Sequence, residues 1–466
     1  MMGVEGGKMT NTGKSEIQNP KPDLTFSVLT WGCQMNEDDS RQIANLIEQM
    51  GYRPADDASD ADIIMLNTCS VREKPEQKVR SKLGELRLLK LEKPELIIGV
   101  CGCMAQKDGL ALRKSMPFID IVMGTASIPE LPTLIEEVRR TRRFASALQM
   151  PSRNGKPVTS SVARVVGEVG LKMFVPVMYG CDNFCAYCVV PQVRGPERSR
   201  PAAEIIAEIE QLVAKGCREV TLVGQNVNSY RGESGGASVA HWDFAELLDT
   251  IDDIAGLERI RFTTSHPKDL SDRLIGAIAE FPKVCEHLHL PMQSGDNNVL
   301  HKMGRGYTIE HYVDLVDKLR IRVPSITITT DILIGFPGEM GAQFRNTLDA
   351  MEAIRFDGAF MFAFNPRPGT AAAEMDGQIE NKIKTRRLVE LIAVQNEITL
   401  ETNQERAGQV FEVLAEGPSE RDPSRMTGYT RHNKTVNFKA DADVAGKLVM
   451  VHAEKAHPWG FSGEIV

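Results

Sequence analysis

Three cysteines with short spacing are the most chemically informative feature of this chain. Cys181, Cys185 and Cys188 form a CxxxCxxC pattern on a loop that follows the apolar run 174–179. Thiolates ligate the irons of a four-iron cluster, so three cysteines would leave the fourth iron open to chelate a small molecule. A structural zinc site needs a fourth Cys or His at short range, but the next cysteine is Cys217. The pattern therefore favours an iron–sulfur cluster with an open position over zinc.

A second group of cysteines is dispersed through the first part of the chain. Cys33, Cys69 and Cys103 are 36 and 34 residues apart, and each follows a predicted strand, at 24–30, 61–66 and 96–100. Strands that alternate with helices indicate an open parallel sheet, and the carboxyl ends of its strands form the binding crevice. We therefore expect these cysteines to converge as a second cluster site. The alternative is that they are buried as small apolar residues, which is the role predicted for Cys101.

The middle of the chain predicts the scaffold for the CxxxCxxC loop. Six strand candidates alternate with helical patterns, near 173–178, 219–223, 258–263, 287–290, 327–334 and 359–364. Six β–α units predict a partial (β/α)6 barrel, whose active site forms from loops at the carboxyl ends of the strands. The cysteine loop follows the first strand, and polar loops rich in Gly and Pro follow the others.

The last part of the chain predicts a small β-barrel. Short alternating runs at 410–415, 427–430, 435–438, 447–453 and 463–466 are separated by turn residues, which is typical of a five-stranded, OB-like barrel. Barrels of this kind often bind oligonucleotides. Arg431, Asn433 and Lys434 lie between two of these strands and are candidate RNA contacts, although a solvated hairpin tip would have the same composition.

Composition sets the remaining bounds. The chain has 466 residues and a formal net charge of −8. Its nine cysteines, in a protein predicted to be cytoplasmic, indicate metal ligation or redox chemistry rather than structural disulfides. Local basic clusters at 139–143, 194–200 and 382–387 permit a polyanion partner. No apolar run is long enough for a membrane span, and no signal peptide is evident, which predicts a cytoplasmic protein. The predicted organisation is a disordered tail 1–23, a sheet domain 24–143, a linker 144–170, a barrel 171–400 and a β-barrel domain 401–466.

Several motifs resemble those of one family, the methylthiotransferases of the radical S-adenosylmethionine (SAM) superfamily. The resemblance covers about 24–466 and rests on WGCQMN at 31–36, NTCSVR at 67–72, GCMAQ at 102–106, the segment 180–195, SHP at 265–267 and LPMQSG at 290–295. The branch that modifies a ribosomal protein typically has GCPKN in the first motif, and the branch acting on threonylcarbamoyladenosine has GCKVN. The GCQMN motif of this chain is similar to that of the branch acting on isopentenyladenosine in tRNA.

The resemblance implies a set of cofactors and a reaction. Cys181, Cys185 and Cys188 would hold a SAM-binding [4Fe–4S] cluster, and Cys33, Cys69 and Cys103 an auxiliary [4Fe–4S] cluster that carries sulfur. Two SAM molecules would be used per turnover, one as methyl donor and one as radical source, to methylthiolate C2 of N6-isopentenyladenosine at position 37 of tRNA. The terminal barrel would be a TRAM domain that binds RNA. Candidate cofactor contacts are Tyr187, Gln225, Asn226 and Glu339.

The resemblance also implies partners, and two other functions stay open. The partners would be tRNA bearing N6-isopentenyladenosine and a reductant such as flavodoxin or ferredoxin, with the sulfur donor unknown and the enzyme a monomer without a membrane partner. One alternative is a methylthiotransferase for a ribosomal protein, which the GCQMN motif disfavours. The other is an RNA-binding iron–sulfur redox sensor without turnover, for which a whole barrel is more structure than sensing requires.

Overall fold

The computed structural model describes residues 24–70, 73–151, 165, 169–233 and 241–466, with residues 73–75 described by their backbone alone. The predicted tail 1–23 and most of the predicted linker, at 152–164 and 166–168, lie outside the described residues. Within the part of the chain that is described, no helix is long and apolar enough to cross a membrane.

The N-terminal domain is built on six parallel strands. Their spatial order is 53–54, 25–31, 63–68, 97–102, 121–123 and 145–147. The central strands Ile63–Thr68 and Ile97–Gly102 are buried along their whole length, as parallel strands covered on both faces must be. Separate apolar clusters fill the two faces of the sheet. The predicted open parallel α/β domain is confirmed.

One strand of this sheet lies inside the predicted linker. Ala145–Ala147 pairs in parallel with Ile121–Met123 and forms the sixth strand of the sheet. Both strands have only three residues, so neither has the length at which alternating hydrophobicity becomes recognisable. The ordered N-terminal sheet therefore continues past residue 143.

The central domain consists of six parallel strands in two groups of three. Strands Lys172–Pro176, Glu219–Val223 and Arg259–Phe262 form one group, and His287–His289, Thr327–Ile334 and Gly358–Ala363 the other. A parallel bridge between Ile260 and Val284 joins the two groups. The strands lie within a residue or two of their predicted positions, and one large apolar cluster fills the space between strands and helices. The predicted partial barrel is confirmed.

The C-terminal domain is a closed barrel of five strands, as predicted. They are Val410–Pro418, Met426–Thr430, Thr435–Lys439, Leu448–His457 and Gly460–Ile465. The 26-residue helix Asn381–Arg406 leads into this barrel and contacts both strand Gly358–Ala363 and strand Leu448–His457.

The helices surround these sheets. Those of the N-terminal domain are Gln34–Gln49, Glu73–Glu92, Cys103–Ser115 and Leu131–Thr141. Those of the central domain are Val190–Arg194, Ala202–Ala214, Phe244–Asp252, Asp272–Glu280, Asn297–Met303, Ile309–Arg322, Gly341–Ile354, Ala371–Glu374 and Asn381–Arg406.

Candidate functional site

The three dispersed cysteines lie at the carboxyl edge of the N-terminal sheet. Cys33 precedes helix Gln34–Gln49, Cys69 follows strand Ile63–Thr68, and Cys103 begins helix Cys103–Ser115. Strands Thr25–Trp31 and Ile63–Thr68, which precede Cys33 and Cys69, are neighbours in the sheet, and the strand order reverses between them. Ligands bind at such a switch point in open α/β sheets. The thiols of Cys33 and Cys69 are hydrogen-bonded to each other. The loops that carry Cys33 and Cys69 therefore lie side by side.

Two asparagines of the cysteine motifs hold the first two loops together. The Asn36 side-chain amide donates to Asn67 Oδ1 at 3.0 Å, and Asn67 Nδ2 donates to the Asn36 carbonyl at 2.8 Å. Both side chains are fully buried. Because a buried polar group costs free energy unless it is paired, this reciprocal pairing restricts the two loops to one relative position.

A glycine makes the third loop possible. Gly102 has φ of +87°, and a Cβ there would lie 2.3 Å from Asn67 Oδ1 and 2.6 Å from the Thr68 carbonyl oxygen. Only glycine adopts this conformation without strain. The tight turn expected before Cys103 is thus observed, and it brings Cys103 beside the loop that carries Cys69.

The electrostatic setting differs among these thiols. The hydrogen bond with Cys69 lowers the pKa of the Cys33 thiol to about 5. Burial raises the pKa of the Cys103 thiol, against the influence of the nearby Arg194 guanidinium. Coordination to a metal deprotonates a thiol outright, so binding of a metal group would overcome the effect of burial at Cys103.

Arg194 connects this crevice to the barrel domain. It ends the short helix Val190–Arg194 and is buried. Its Nη2 donates to Asp39 Oδ2 at 2.7 Å, and its guanidinium also hydrogen-bonds Cys103. Cys103 packs directly against Val189 and Val193. The N-terminal cysteines therefore face the segment that immediately follows Cys188.

Each sulfur of the CxxxCxxC loop has a hydrogen-bond donor, two from the backbone of the loop and its following residues and one from Arg305. The backbone N–H of Asn183 lies 3.5 Å from Cys181 Sγ, and that of Val190 lies 3.5 Å from Cys188 Sγ. Arg305 Nη1 lies 3.4 Å from Cys185 Sγ. Burial raises the pKa of the Cys181 thiol and raises that of Cys188 to about 12, and the N–H donors oppose this by favouring the thiolate, the form that ligates a metal.

Arg305 is a site residue that the sequence motifs do not reveal. Besides Cys185, it contacts the hydroxyl oxygens of Tyr187 at 3.5 Å and Tyr307 at 3.2 Å and the Pro291 carbonyl at 3.3 Å. It is 5% exposed. A buried guanidinium beside Cys185 places positive charge where a cluster with thiolate ligands would carry negative charge.

Both cysteine sets offer thiols, the ligand type that iron–sulfur clusters use. Across the described residues, no group of three or more Cys, His, Asp or Glu side chains surrounds one ion position. A cluster differs from one ion because each thiolate ligates a different iron, so its ligands stand farther apart. The barrel loop provides three soft sulfur donors with N–H groups directed at them.

Two of the four predicted cofactor contacts support the cysteine loop. Gln225 Oε1 accepts the backbone N–H of Gly180 at 2.6 Å, at the start of that loop. Tyr187 packs on an apolar cluster formed by residues 299, 303, 336, 364 and 372, and its hydroxyl faces Arg305. Both side chains therefore lie at the site, with observed contacts to protein groups.

The other two predicted contacts have different environments. The Glu339 carboxylate accepts the Gly335 backbone N–H and pairs with Arg387 at 3.3 Å. It therefore fixes the loop after strand Thr327–Ile334. Asn226 is fully buried and donates to Asp269 Oδ2 at 2.7 Å.

The predicted RNA contacts of the C-terminal barrel lie at a domain interface instead. Arg431 donates to both carboxylate oxygens of Glu286, at 2.7 and 2.9 Å, and Lys434 Nζ donates to the Asp357 carbonyl at 2.9 Å. Asn433 Nδ2 lies 3.5 Å from His287 Nε2. This placement argues against the predicted RNA role, because the donors of Arg431 and Lys434 are already directed at the central domain.

Two of the basic clusters noted in the sequence are also partly internal. Arg200 is 1% exposed and pairs with Glu208 at 2.8 Å, while Arg194 pairs with Asp39. Lys384 Nζ donates to the Phe364 carbonyl at 2.9 Å, and Arg387 pairs with Glu339. These buried side chains cannot contribute to a surface that attracts a polyanion.

Comparison with known proteins matches this division into domains. Residues 25–124 match the model "Uncharacterized protein family UPF0004", residues 175–351 the radical SAM superfamily, and residues 404–466 the TRAM domain. A tRNA-2-methylthio-N(6)-dimethylallyladenosine synthase of Desulforamulus reducens is 47% identical over 98% of this chain and 98% of its own. The chain belongs to this synthase family. A synthase of the same name from Carboxydothermus hydrogenoformans is 47% identical over 95% of this chain and 99% of its own.

Solved structures support the fold of this synthase family member. The radical SAM methyltransferase TsrM from Kitasatospora setae, with tryptophan and a SAM analogue bound, has a TM-score of 0.55 and 18% identity. The match covers 85% of this chain and 79% of that one. In this member of the synthase family, the first matched model contains Cys33, Cys69 and Cys103, and the radical SAM model contains the CxxxCxxC loop. The two cysteine sets therefore belong to separate modules that meet at Arg194.

Proposed function

We propose that this chain methylthiolates C2 of N6-isopentenyladenosine at position 37 of tRNA. The observation that carries the proposal is 47% identity to synthases of that name over nearly the full length of the chain, and the contact of Cys103 with the segment after the CxxxCxxC loop supports it. The adenine C2–H bond is not acidic enough for ordinary side chains to remove its hydrogen. Chemistry of this kind is supplied by cofactors, which the protein binds and orients.

Each domain has a defined part in this proposal. Cys181, Cys185 and Cys188 would hold one [4Fe–4S] cluster, and Cys33, Cys69 and Cys103 a second, auxiliary one. When bound, these clusters would supply the electron for reductive cleavage of SAM and the sulfur to be transferred. Two SAM molecules would be consumed per product.

The protein residues position and shield these groups. Arg305 would neutralise thiolate charge at the barrel site, and Gln225 would fix the start of the cysteine loop. The apolar cluster beside Tyr187 covers one side of that loop, and excluding water from a site protects reactive species from side reactions. A base in the single-stranded anticodon loop can be turned out into such a site. The flavodoxin- or ferredoxin-type reductant and the monomeric state stay predictions from the resemblance.

A nucleoside profile tests the reaction and substrate together. Transfer RNA from a gene-deletion strain and from its complemented twin would be digested and analysed by mass spectrometry. We expect 2-methylthio-N6-isopentenyladenosine to vanish on deletion, N6-isopentenyladenosine to accumulate, and both to return to normal on complementation. An unchanged profile would refute the substrate assignment and leave a protein side chain as the next target to examine.

A further inference from the structure

Two adjacent loops at the mouth of the barrel carry buried polar atoms that lack partners. The loops follow strands Glu219–Val223 and Arg259–Phe262, and Val227 N donates to the Thr264 carbonyl at 3.0 Å to join them. The unpartnered atoms in these loops are Asn226 Oδ1, Asn228 Oδ1, Ser265 Oγ and His266 Nε2. Burying a polar atom unpaired costs about 1–3 kcal/mol, so four such atoms in two touching loops indicate a ligand that pairs with them.

The hydrogen-bond role of His266 is determined by its other ring nitrogen. The backbone N–H of Lys268 donates to His266 Nδ1 at 3.2 Å. Because Nδ1 accepts, the proton of the neutral ring lies on Nε2. Burial, together with Arg305 and Lys268, lowers the pKa of His266 to about 2, so the ring is neutral. His266, which is 5% exposed, thus presents a fixed N–H donor at Nε2.

The other unpartnered side chains of the two loops are neutral. Asn226 and Ser265 are 1% and 4% exposed. The Asp269 carboxylate accepts from Asn226 Nδ2 at 2.7 Å, and this bond fixes which end of the amide is the oxygen. The lining therefore offers one N–H donor, amide oxygens that accept, and a hydroxyl that does either.

This lining is close to the cysteine loop. The His266 ring packs edge-on against Tyr307, with 5.7 Å between ring centroids. The Tyr307 hydroxyl accepts from Arg305 Nε at 3.2 Å, and Arg305 contacts Cys185. Thr264, directly before the lining, has φ of +72°, a strained conformation for a β-branched residue that is typical of functional sites.

The chemistry of the lining suits an uncharged nucleoside. SAM carries an ammonium, a carboxylate and a sulfonium, and buried charges require opposite charges for compensation. The unpartnered atoms here belong to neutral groups. An N6-alkyladenosine has ring nitrogens that accept a hydrogen bond, and an N6–H group and ribose hydroxyls that donate. Enzymes that act on an extruded base bind its edge through such bonds.

We propose that His266 donates its Nε2 hydrogen to a ring nitrogen of the substrate adenine, and that Ser265 and Asn226 bind the polar groups beside it. This inference rests on the proposed function, since it places the same adenosine. It makes His266 a substrate-binding residue that orients the base relative to the cysteine loop.

Atom-specific analogues provide the test. The iron-loaded protein would be titrated with an anticodon stem-loop RNA bearing N6-isopentenyladenosine at position 37, and with RNAs bearing its 1-deaza, 3-deaza and 7-deaza analogues. SAM would be titrated separately. The variants are His266→Phe, which retains a ring against Tyr307 but has no donor, and His266→Gln, which retains an N–H donor. His311→Phe, at an exposed helix position, is the matched control.

We expect the unaltered protein and the His311→Phe variant to lose about tenfold in affinity for one of the three deaza RNAs, the effect of one hydrogen bond. The His266→Phe variant should bind the parent RNA about tenfold more weakly than the unaltered protein does. It should bind that deaza RNA with the same affinity as the parent RNA. The His266→Gln variant should recover part of the discrimination. Equal iron content in all variants excludes a folding defect.

Other results would overturn the inference. If the unaltered protein binds every deaza RNA like the parent, no ring nitrogen is contacted and the polar atoms bind water alone. If His266→Phe weakens SAM binding and leaves RNA discrimination intact, the lining belongs to the cofactor. In both cases, continued conversion of the parent RNA leaves the proposed function standing. If the unaltered protein neither binds nor converts the parent RNA, both proposals fail.

Discussion

Replacing Arg431 by Ala distinguishes a structural from an RNA-binding role for the C-terminal hairpin. The sequence predicts an RNA contact, whereas the structure directs this side chain at the barrel domain. Its guanidinium makes two bonds to Glu286 and a third, of 2.7 Å, to the Val284 carbonyl. We expect the Arg431→Ala variant to lose stability and to keep the salt dependence of its RNA binding.

The size of the effect follows from geometry and burial. Hydrogen bonds between charged groups contribute about 1.5–3 kcal/mol when buried, and exposed ion pairs about 0–1 kcal/mol. The side chains of Arg431 and Glu286 are 19% and 25% exposed, which places the pair between these limits. We expect a loss of about 2 kcal/mol for the three bonds together. At about 2–4 °C per kcal/mol, the melting temperature should fall by about 4–8 °C.

Two measurements on the same protein separate the roles. Thermal melting reports stability, and titration with tRNA at several salt concentrations reports the number of phosphate contacts. Loss of one contact to single-stranded RNA lowers the slope of log K against log salt by about 0.7. Arg421 is exposed in the same C-terminal β-barrel as Arg431, so Arg421→Ala is the matched control for removing one positive charge. It should leave the melting temperature unchanged.

The reasoning would be refuted by the opposite pattern. If Arg431→Ala melts like the unaltered protein and its salt slope falls by about 0.7, then Arg431 contacts a phosphate and the contact with Glu286 contributes little. A lower melting temperature with an unchanged slope would support the interface role.

Three further predictions concern the barrel and the clusters. Cys185→Ala should abolish cleavage of SAM to 5′-deoxyadenosine, while iron at the other site is retained. Cys69→Ala should still cleave SAM but form no methylthio product. Full product formation by Cys69→Ala would contradict the two-cluster assignment. Arg305→Gln should lower the reduction potential of the barrel cluster, because a cationic donor to Cys185 is lost; an unchanged potential in a spectroscopic redox titration would contradict this. Arg387→Met should destabilise the protein by about 3 kcal/mol in urea unfolding, because it leaves the buried Glu339 carboxylate without its cation, and adding Glu339→Gln should restore much of that loss.

The sequence predicts the fold well where local pattern and burial agree. The strand Thr327–Ile334 is eight residues of β-branched and apolar character, and its predicted bounds match. The strands Ile121–Met123 and Ala145–Ala147 have no such pattern. They are strands because the sheet beside them offers hydrogen-bonding partners. A sequence of three residues does not reveal that such a neighbouring strand is present.

Some residues of the candidate site could likewise be predicted from the sequence, and others could not. Cys33, Cys69 and Cys103 could be expected to converge, because each follows a strand of one parallel sheet. The role of Arg305 could not be predicted, because it contacts Cys185 across 120 residues of sequence. Arg194 was visible only as part of a basic cluster, since the sequence contains no sign that Asp39, 155 residues away, is its partner.

The position of Arg194 limits how far apart the two cysteine sets can be. Arg194 lies six positions after Cys188 and ends the helix Val190–Arg194, so at about 1.5 Å per residue the two Cα atoms are roughly 9 Å apart. The Arg194 side chain then spans the remaining gap to Cys103. Because Asp39 holds that guanidinium from the N-terminal domain, the domains cannot separate at this point without exposing or unpairing a buried ion pair. The Asp39–Arg194 pair therefore keeps the loop that carries Cys103 against the segment that follows Cys188.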